Sequence, residues 1–362
     1  MRNLNTVFRR QRNLVLRALL GSVGVALLVL ANGASALCVS NSQDLQKALT
    51  DHSDLGAHAG EDLDLDLVAN ITYKTGNGPF HYLSTAATGN LSIRGDFLGP
   101  NCMIHGFDPE ATVLDGQGAT QVLNLSSKNG YIDVEELTIY RGESSVDFGA
   151  GLSVNHDPSV LPLGAGSIRI HHNLISGNHS ATEYGGVYAV SGGYLQLSSN
   201  LILGNSADNL GGAGYVRGGT HMLVVSNTIT QNTTTHVGGW GGLEVAQGTL
   251  DAQLSNNIFW NNTLYGAYLD TINIDLDNND YGVLGGSAPQ TNFNPLINKN
   301  PRFVNAAGGD FHLAGNSPAL GFSTAPQRGN AVSDLEDHTY PLSGNIDVGA
   351  YEETIFIDGF EP

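Results

Sequence analysis

Tyr188, Tyr215, Glu244 and Tyr268 stand one to a repeat in a chain that returns to the same pattern every 27 to 30 residues. If they fall in line, they could bind a ligand. Flat aromatic faces stack on sugar rings, and a carboxylate among them binds hydroxyls or acts as a general acid. Arg217 and Asp270 lie two residues beyond Tyr215 and Tyr268 and would flank the column. Glu244, Asp270 and Arg217 are the candidates for catalysis. Two carboxyl groups about 5–9 Å apart suit glycoside hydrolysis. Tyr188, Tyr215, Glu244 and Tyr268 are the candidates for ligand contact. A plain structural reading stands beside these: outward tyrosines on neighbouring strands cover an exposed sheet.

Whether the column exists depends on the elements that carry it. Asn173, Asn200, Asn227 and Asn257 open successive units at spacings of 27, 27 and 30 residues. Asn178, Asn205, Asn232 and Asn262 each follow five residues on. Ile175, Ile202, Ile229 and Phe259 hold one apolar slot, and Gly185-Gly186, Gly211-Gly212 and Gly238-Gly239 hold a turn. Between these marks lie short apolar alternations: Leu195 and Leu197; Leu223 and Val225; Leu243 and Val245; Ile272, Ile274 and Leu276. Period-2 runs bounded by Gly and Asn are strands. A repeat of this length cannot bury its apolar face alone, so neighbours must stack. Coils of parallel strands would then lie about 4.8 Å apart. Val187, Ala189, Gly214, Val216, Leu243, Val245, Ala267 and Leu269 would point inward, which turns the tyrosines outward. Asn recurs because it tolerates left-handed turns and its amide bonds the amide of the next coil. A longer, degenerate unit begins at Leu137.

The segment "TVLDGQG" (112–118) and the Asn-x-Ile-x-x-Asn ladders resemble the right-handed parallel β-helix proteins of the pectate-lyase-like superfamily. The resemblance implies an all-β, single-stranded right-handed solenoid with an irregular C-terminal module, and "SQDLQKALT" (42–50) reads as a short amphipathic helix that caps its N-terminal edge. "NPRFVNAAGGDFHLAGNSPALG" with "GNIDVGAYE" resembles the choice-of-anchor Q module of bacterial surface β-helix proteins. "IFIDGFEP" resembles a C-terminal signature of secreted proteobacterial proteins. Lyases of the superfamily gather acids around calcium and use Arg or Lys as base. The coils here hold only Lys74, Arg94, Lys128, Arg141, Arg169 and Arg217. The Asn-Thr-Asp, Gly-His-Gly and Arg-Ile-Lys motifs of the galacturonan hydrolases are absent, and Arg169-Ile170-His171 is the nearest echo.

The expected organisation is a signal peptide at 1–36, a cap at 37–60, coils over 61–285, a C-terminal module at 286–352 and a tail signature at 353–362. Arg2, Arg9, Arg10, Arg12 and Arg17 precede an apolar run ending at Ala34-Ser35-Ala36, the pattern of a secretory leader. The apolar run is short for a membrane span. The chain is acidic, with net charge −19, and becomes more so without those arginines. Such a surface repels nucleic acid and anionic membrane. A neutral polysaccharide or a cell-surface component is the expected partner.

Cys38 and Cys102 are the two cysteines, and in an exported chain a pair reads as one disulfide. Two free buried thiols are the other reading. His171, His172, His179, His221 and His236 match no zinc spacing and read as solvated or hydrogen-bonded. No cofactor is expected, with calcium at "DLDLD" or "DLDNND" the one ion left open. The expectation is a secreted or cell-surface protein of a Gram-negative bacterium, binding carbohydrate or another surface without chemistry. A polysaccharide lyase or glycoside hydrolase, and a structural adhesin or spacer, are the alternatives.

Overall fold

The computed structural model describes residues 36–353, apart from 87–88, 100, 157–165, 247–250, 271–272, 324–332 and 341–344. The expected signal peptide and tail signature, Ile272, and most of the leader's cut site lie outside the described residues.

Each coil adds one strand to each of several sheets. One coil runs through Ser167–His171, Leu174–Ser176, His179–Ser180 and Val187–Val190. The next runs through Tyr194–Ser198, Leu201–Leu203, Ser206–Ala207 and Gly214–Arg217. Every one of these strands pairs in parallel with its counterpart one coil on. Stacking builds sheets of eleven, nine, eight and four strands. The inward residues expected from the alternation, Val187, Ala189, Val216, Leu243, Val245, Ala267 and Leu269, are fully buried in one continuous core.

The asparagines are the rungs' hydrogen-bonding spine. Asn173 Nδ2 donates to Asn200 Oδ1 (3.1 Å), Asn200 Nδ2 to Asn227 Oδ1 (3.0 Å), and Asn227 Nδ2 to Asn257 Oδ1 (2.9 Å). Asn178, Asn205, Asn232 and Asn262 form a second ladder in the same way. The first ladder runs one rung further than the repeat shows, because Asn257 Nδ2 donates to Asn279 Oδ1 (2.9 Å). That rung is 22 residues on rather than 27.

Two expectations are corrected. Leu223 and Val225 do not face the core. The register sets Leu195 beside Met222 and Leu197 beside Val224, so Met222 and Val224 are the inward pair. Four consecutive apolar residues, Met222–Val225, leave no alternation to read. The coils also pass residue 285. Thr291–Phe293 and Leu296–Ile297 still pair in parallel with the preceding coil.

The ends are covered. The helix Ser42–His52 starts at Asn41, whose side chain accepts from the Asp44 N–H, and buries Leu45, Ala48 and Leu49 against the first coils. Cys38 and Cys102 are joined by a disulfide. In the first long strand Leu63, Leu65 and Leu67 face the core, and Asp66 is buried and paired with Arg94 at 2.6 Å. The C-terminal module packs on the outside of the nine-stranded sheet. Its Phe311, Leu335 and Ala350 cluster with Leu201, and its Leu313, Ala319 and Val348 with Ile258. Among the described residues, no helix is long and apolar enough to cross a membrane.

Candidate functional site

The eight-stranded sheet brings the predicted column together. Its register sets Ser153 beside Tyr188, Tyr188 beside Tyr215, Tyr215 beside Glu244, and Glu244 beside Tyr268. All point away from the core, because their neighbours on each strand are the buried inward residues. The tyrosines are half-buried.

The rings do not present open faces as the sequence suggests. Tyr188 and Tyr215 stack on one another, with centroids 5.3 Å apart and planes 19° from parallel. Tyr268 stacks on Trp240 at 3.8 Å and 4°. Strands one coil apart hold their rings near stacking distance, so the faces are spent on each other and the edges and hydroxyls turn outward. Glu244 stands between Tyr215 and Tyr268 in the register, on the coil that also carries Trp240.

Tyr184, Phe148, Trp240 and Tyr265 belong to the same cluster and were missed. Tyr184 contacts Tyr188, Tyr215 and Phe148. Its ring crosses the next coil over Gly211, where an added Cβ would lie 2.5 Å from Tyr184 Cδ1. Gly211 also has φ of 65°. The Tyr184 hydroxyl then donates to Glu244 Oε2 at 3.2 Å. From sequence, Tyr184 and Trp240 read as turn residues beside their glycines. Tyr265 rests over Gly285, where a Cβ would come within 2.5 Å of its Cδ2.

Glu244 is only 8% exposed. Burial pushes its carboxyl up to about 7, the Tyr184 hydroxyl opposes the shift, and the charges of Asp270 and Glu183 add to it. Burial likewise raises Tyr188 and Tyr215, and the Arg217 charge works against both shifts. Arg217 lies beside Val190 in the register, half-buried. Asp270 follows Tyr268 by two residues and its backbone N–H donates to Val245. The indole N–H of Trp240 is buried with no hydrogen-bond partner among the described residues. The arrangement is a protonatable acid inside an aromatic wall, with one spare donor and a flanking cation and anion.

A second polar cluster lies on the outside of the eleven-stranded sheet. His171 is buried and bonds Asp133 through Nε2 at 2.9 Å. It touches His172 through Nδ1 at 2.8 Å. Asp133 also accepts from the Tyr131 hydroxyl at 2.6 Å. These histidines are hydrogen-bonded rather than solvated.

Stacked parallel coils with an asparagine spine define a right-handed parallel β-helix. The chain belongs to the family described as right handed beta helix region, whose profile matches residues 112–311. Among curated proteins and among solved structures, none matches the chain. Membership fixes the fold and leaves the activity to the site.

One test isolates Glu244. Unfolded, its carboxyl titrates near 4.5, and folded near 7. Below pH 4.5 both states are protonated and folding carries no penalty. As pH rises from 4.5 to 7 the folded state must retain the proton or bury a charge, so stability falls across that window and levels off above it. The full shift is worth ~3.5 kcal/mol at ~1.4 kcal/mol per pKa unit, and solvent screening at the partly open carboxyl lowers the expected loss to roughly 2–3 kcal/mol. Glu244→Gln keeps an acceptor for Tyr184 and carries no charge. It should match the parent in urea unfolding at pH 4.5 and exceed it at pH 8. An equal gap at both pH values would contradict the assignment. Asp280 and Glu352 are also pushed up to about 7, so only the parent–variant difference reports on Glu244.

Proposed function

We propose that this is an exported β-helix protein that binds a neutral polysaccharide along the outer face of its eight-stranded sheet, without chemistry. The observation that carries the reading is Glu244. Stacked tyrosines alone would cover a sheet. A cover has no use for a carboxyl group enclosed among rings, at a cost in stability, beside an indole N–H without a partner among the described residues. Costly polar groups of this kind gather at functional sites. The ring edges and phenol groups of Tyr188, Tyr215 and Tyr268 offer a line of apolar and hydroxyl contacts at coil spacing. The net charge of −19 favours a neutral chain over an acidic one. The leader-like N-terminus and the Cys38–Cys102 bond support an exported setting. The choice-of-anchor Q resemblance of the C-terminal segment supports retention at a Gram-negative cell surface.

The test is pull-down of the chain without its leader on a panel of neutral and acidic polysaccharides, with release of reducing or unsaturated ends followed in parallel, with and without calcium. Binding without release is the expected result. Tyr188→Ala combined with Tyr215→Ala should weaken it at least ~10-fold, two lost aromatic contacts being worth ~1 kcal/mol each. Unchanged binding in the double variant would remove the column from the reading.

The hydrolytic alternative has one observation in its favour: the paired environment of Glu244, pushed up to about 7, and Asp270, whose charge it feels. That is the acid half of a two-carboxylate mechanism. Release of reducing ends, lost in Glu244→Gln and Asp270→Asn, would favour it. Neither binding nor release would leave a structural spacer.

A further inference from the structure

We propose that Glu135, His171 and His172 bind one borderline divalent transition metal ion, of the zinc class, where the solenoid meets the C-terminal module. The argument is one of hydrogen-bond direction. His172 Nε2 lies 3.2 Å from the Ser333 carbonyl oxygen and 3.3 Å from its hydroxyl. A carbonyl only accepts, so His172 carries its hydrogen on Nε2 and has a lone pair on Nδ1. His171 Nε2 lies 2.9 Å from Asp133 Oδ1 and 3.4 Å from Glu135 Oε2. Carboxylates also accept, so His171 holds a hydrogen on Nε2 too. The two Nδ1 atoms then face each other at 2.8 Å, with a single hydrogen between them.

That is the arrangement of metal-binding imidazoles. Each ligating ring usually donates its other N–H to a carboxylate or a backbone carbonyl, which fixes the ring and its tautomer. Here Asp133 and the Ser333 carbonyl hold those places. Asp133 is itself fixed by the Tyr131 hydroxyl at 2.6 Å and by Arg169 at 3.8 Å. Glu135 is the register partner of His171 on the preceding coil. One ligand atom from each of the three residues falls within 4.8 Å of the others. Two imidazole nitrogens and one carboxylate oxygen suit zinc, nickel or copper, whereas calcium takes six to eight oxygens. His172 and Glu135 are half-buried, so an ion can enter from solvent. On binding, the Glu135 carboxylate turns away from His171 Nε2, two Nδ1–metal bonds and one carboxylate–metal bond form, the hydrogen between the rings leaves as a proton, and no electrons are transferred. The sequence shows no zinc spacing because the third donor comes from the neighbouring coil rather than the same element.

The test uses the full chain without an affinity tag, stripped with a chelator. Zn2+ is titrated by calorimetry, and Co2+ by its visible ligand-field bands. One ion per chain is expected, with a Co2+ spectrum of nitrogen ligation and a higher melting temperature in zinc. His172→Ala and Glu135→Gln sit at half-buried positions and should keep the parent's circular dichroism. Each should bind Zn2+ at least ~10–100-fold more weakly, the scale on which even outer-shell partners act. Absence of saturable one-to-one binding would overturn the proposal. So would parent-like affinity in both folded variants, which would place the ion elsewhere, such as at His312 and His338.

Discussion

Asn200→Ala is expected to lower the unfolding free energy by roughly 4 kcal/mol or more, at about 1–3 kcal/mol for each buried group left unpaired. The Asn200 side chain is fully buried. Its Nδ2 donates to Ile170 O (2.9 Å), Ser198 O (3.0 Å) and Asn227 Oδ1 (3.0 Å). Its Oδ1 accepts from the Asn173 N–H (3.0 Å) and from Asn173 Nδ2 (3.1 Å). Alanine removes all of these and leaves two carbonyls, one N–H and two neighbouring amides short of partners in a buried position. It also cuts the ladder in the middle, so the coils on either side lose a shared interface. Stability in a solenoid is close to a sum over such interfaces. The urea transition should therefore broaden as well as shift. Asn262→Ala is the comparison. Asn262 is half-buried, at the end of its ladder: its Nδ2 donates to Ile229 O (2.8 Å) and its Oδ1 accepts from the Asn232 N–H (2.9 Å) and Nδ2 (3.0 Å), three bonds nearer to solvent against five in the core, so the loss should be clearly smaller. Equal losses in the two variants would refute the view that the buried ladder carries the stack.

The same ladder shows what a sequence of this kind discloses. Repeating Asn marks turns for a local cause, so the coil register from Asn173 to Asn262 is legible, but the Gly pairs mislead: the register sets Gly185 against Gly212 and Gly241, not against Gly211 and Gly238. Asn279 is not, because a loop shortened to 22 residues breaks the period while the geometry continues. The inward and outward sense of Val187 through Leu269 is legible from the pleat. The sense of Met222–Val225 is lost, because both faces are apolar there. Outward direction is also not exposure. Glu244 and His171 both leave the core as expected, and both are covered: Glu244 by rings from other coils, His171 by its carboxylate partners and His172. Cover of this kind is a tertiary fact, carried by residues with no common spacing. For the same reason the column was readable and its chemistry was not. The rings were placed correctly, but whether a ring shows its face or its edge depends on the neighbour one coil away. Tyr184 reaches Glu244 across 60 residues, which no local pattern announces.

Replacing Cys38 and Cys102 together with serine is expected to cost about 4 kcal/mol, the loop-closure entropy of a 64-residue link. The loss should not be spread over the molecule. Cys38 lies on Leu37–Val39, at the edge of the eleven-stranded sheet, which among the described residues pairs only with the strand Leu63–Val68. The Val39 carbonyl accepts from the buried Tyr73 hydroxyl at 2.7 Å, and the capping helix follows directly. Without the disulfide, three residues of edge strand and an 11-residue helix must hold the open end of the core alone. A helix that short is marginal without packing. The cap should fray first and uncover Leu63, Leu65 and Leu67, whose strand would become the new edge. Hydrogen exchange, with dithiothreitol or in the double-serine variant, should quicken over residues 37–75 and stay unchanged over the coils of Asn200 to Asn257. Uniform quickening would mean that the cap and the coils unfold as one unit and that the tie acts globally. Localised fraying would show a cap that closes fully only where thiols oxidise, the disulfide then guarding the edge of the solenoid core.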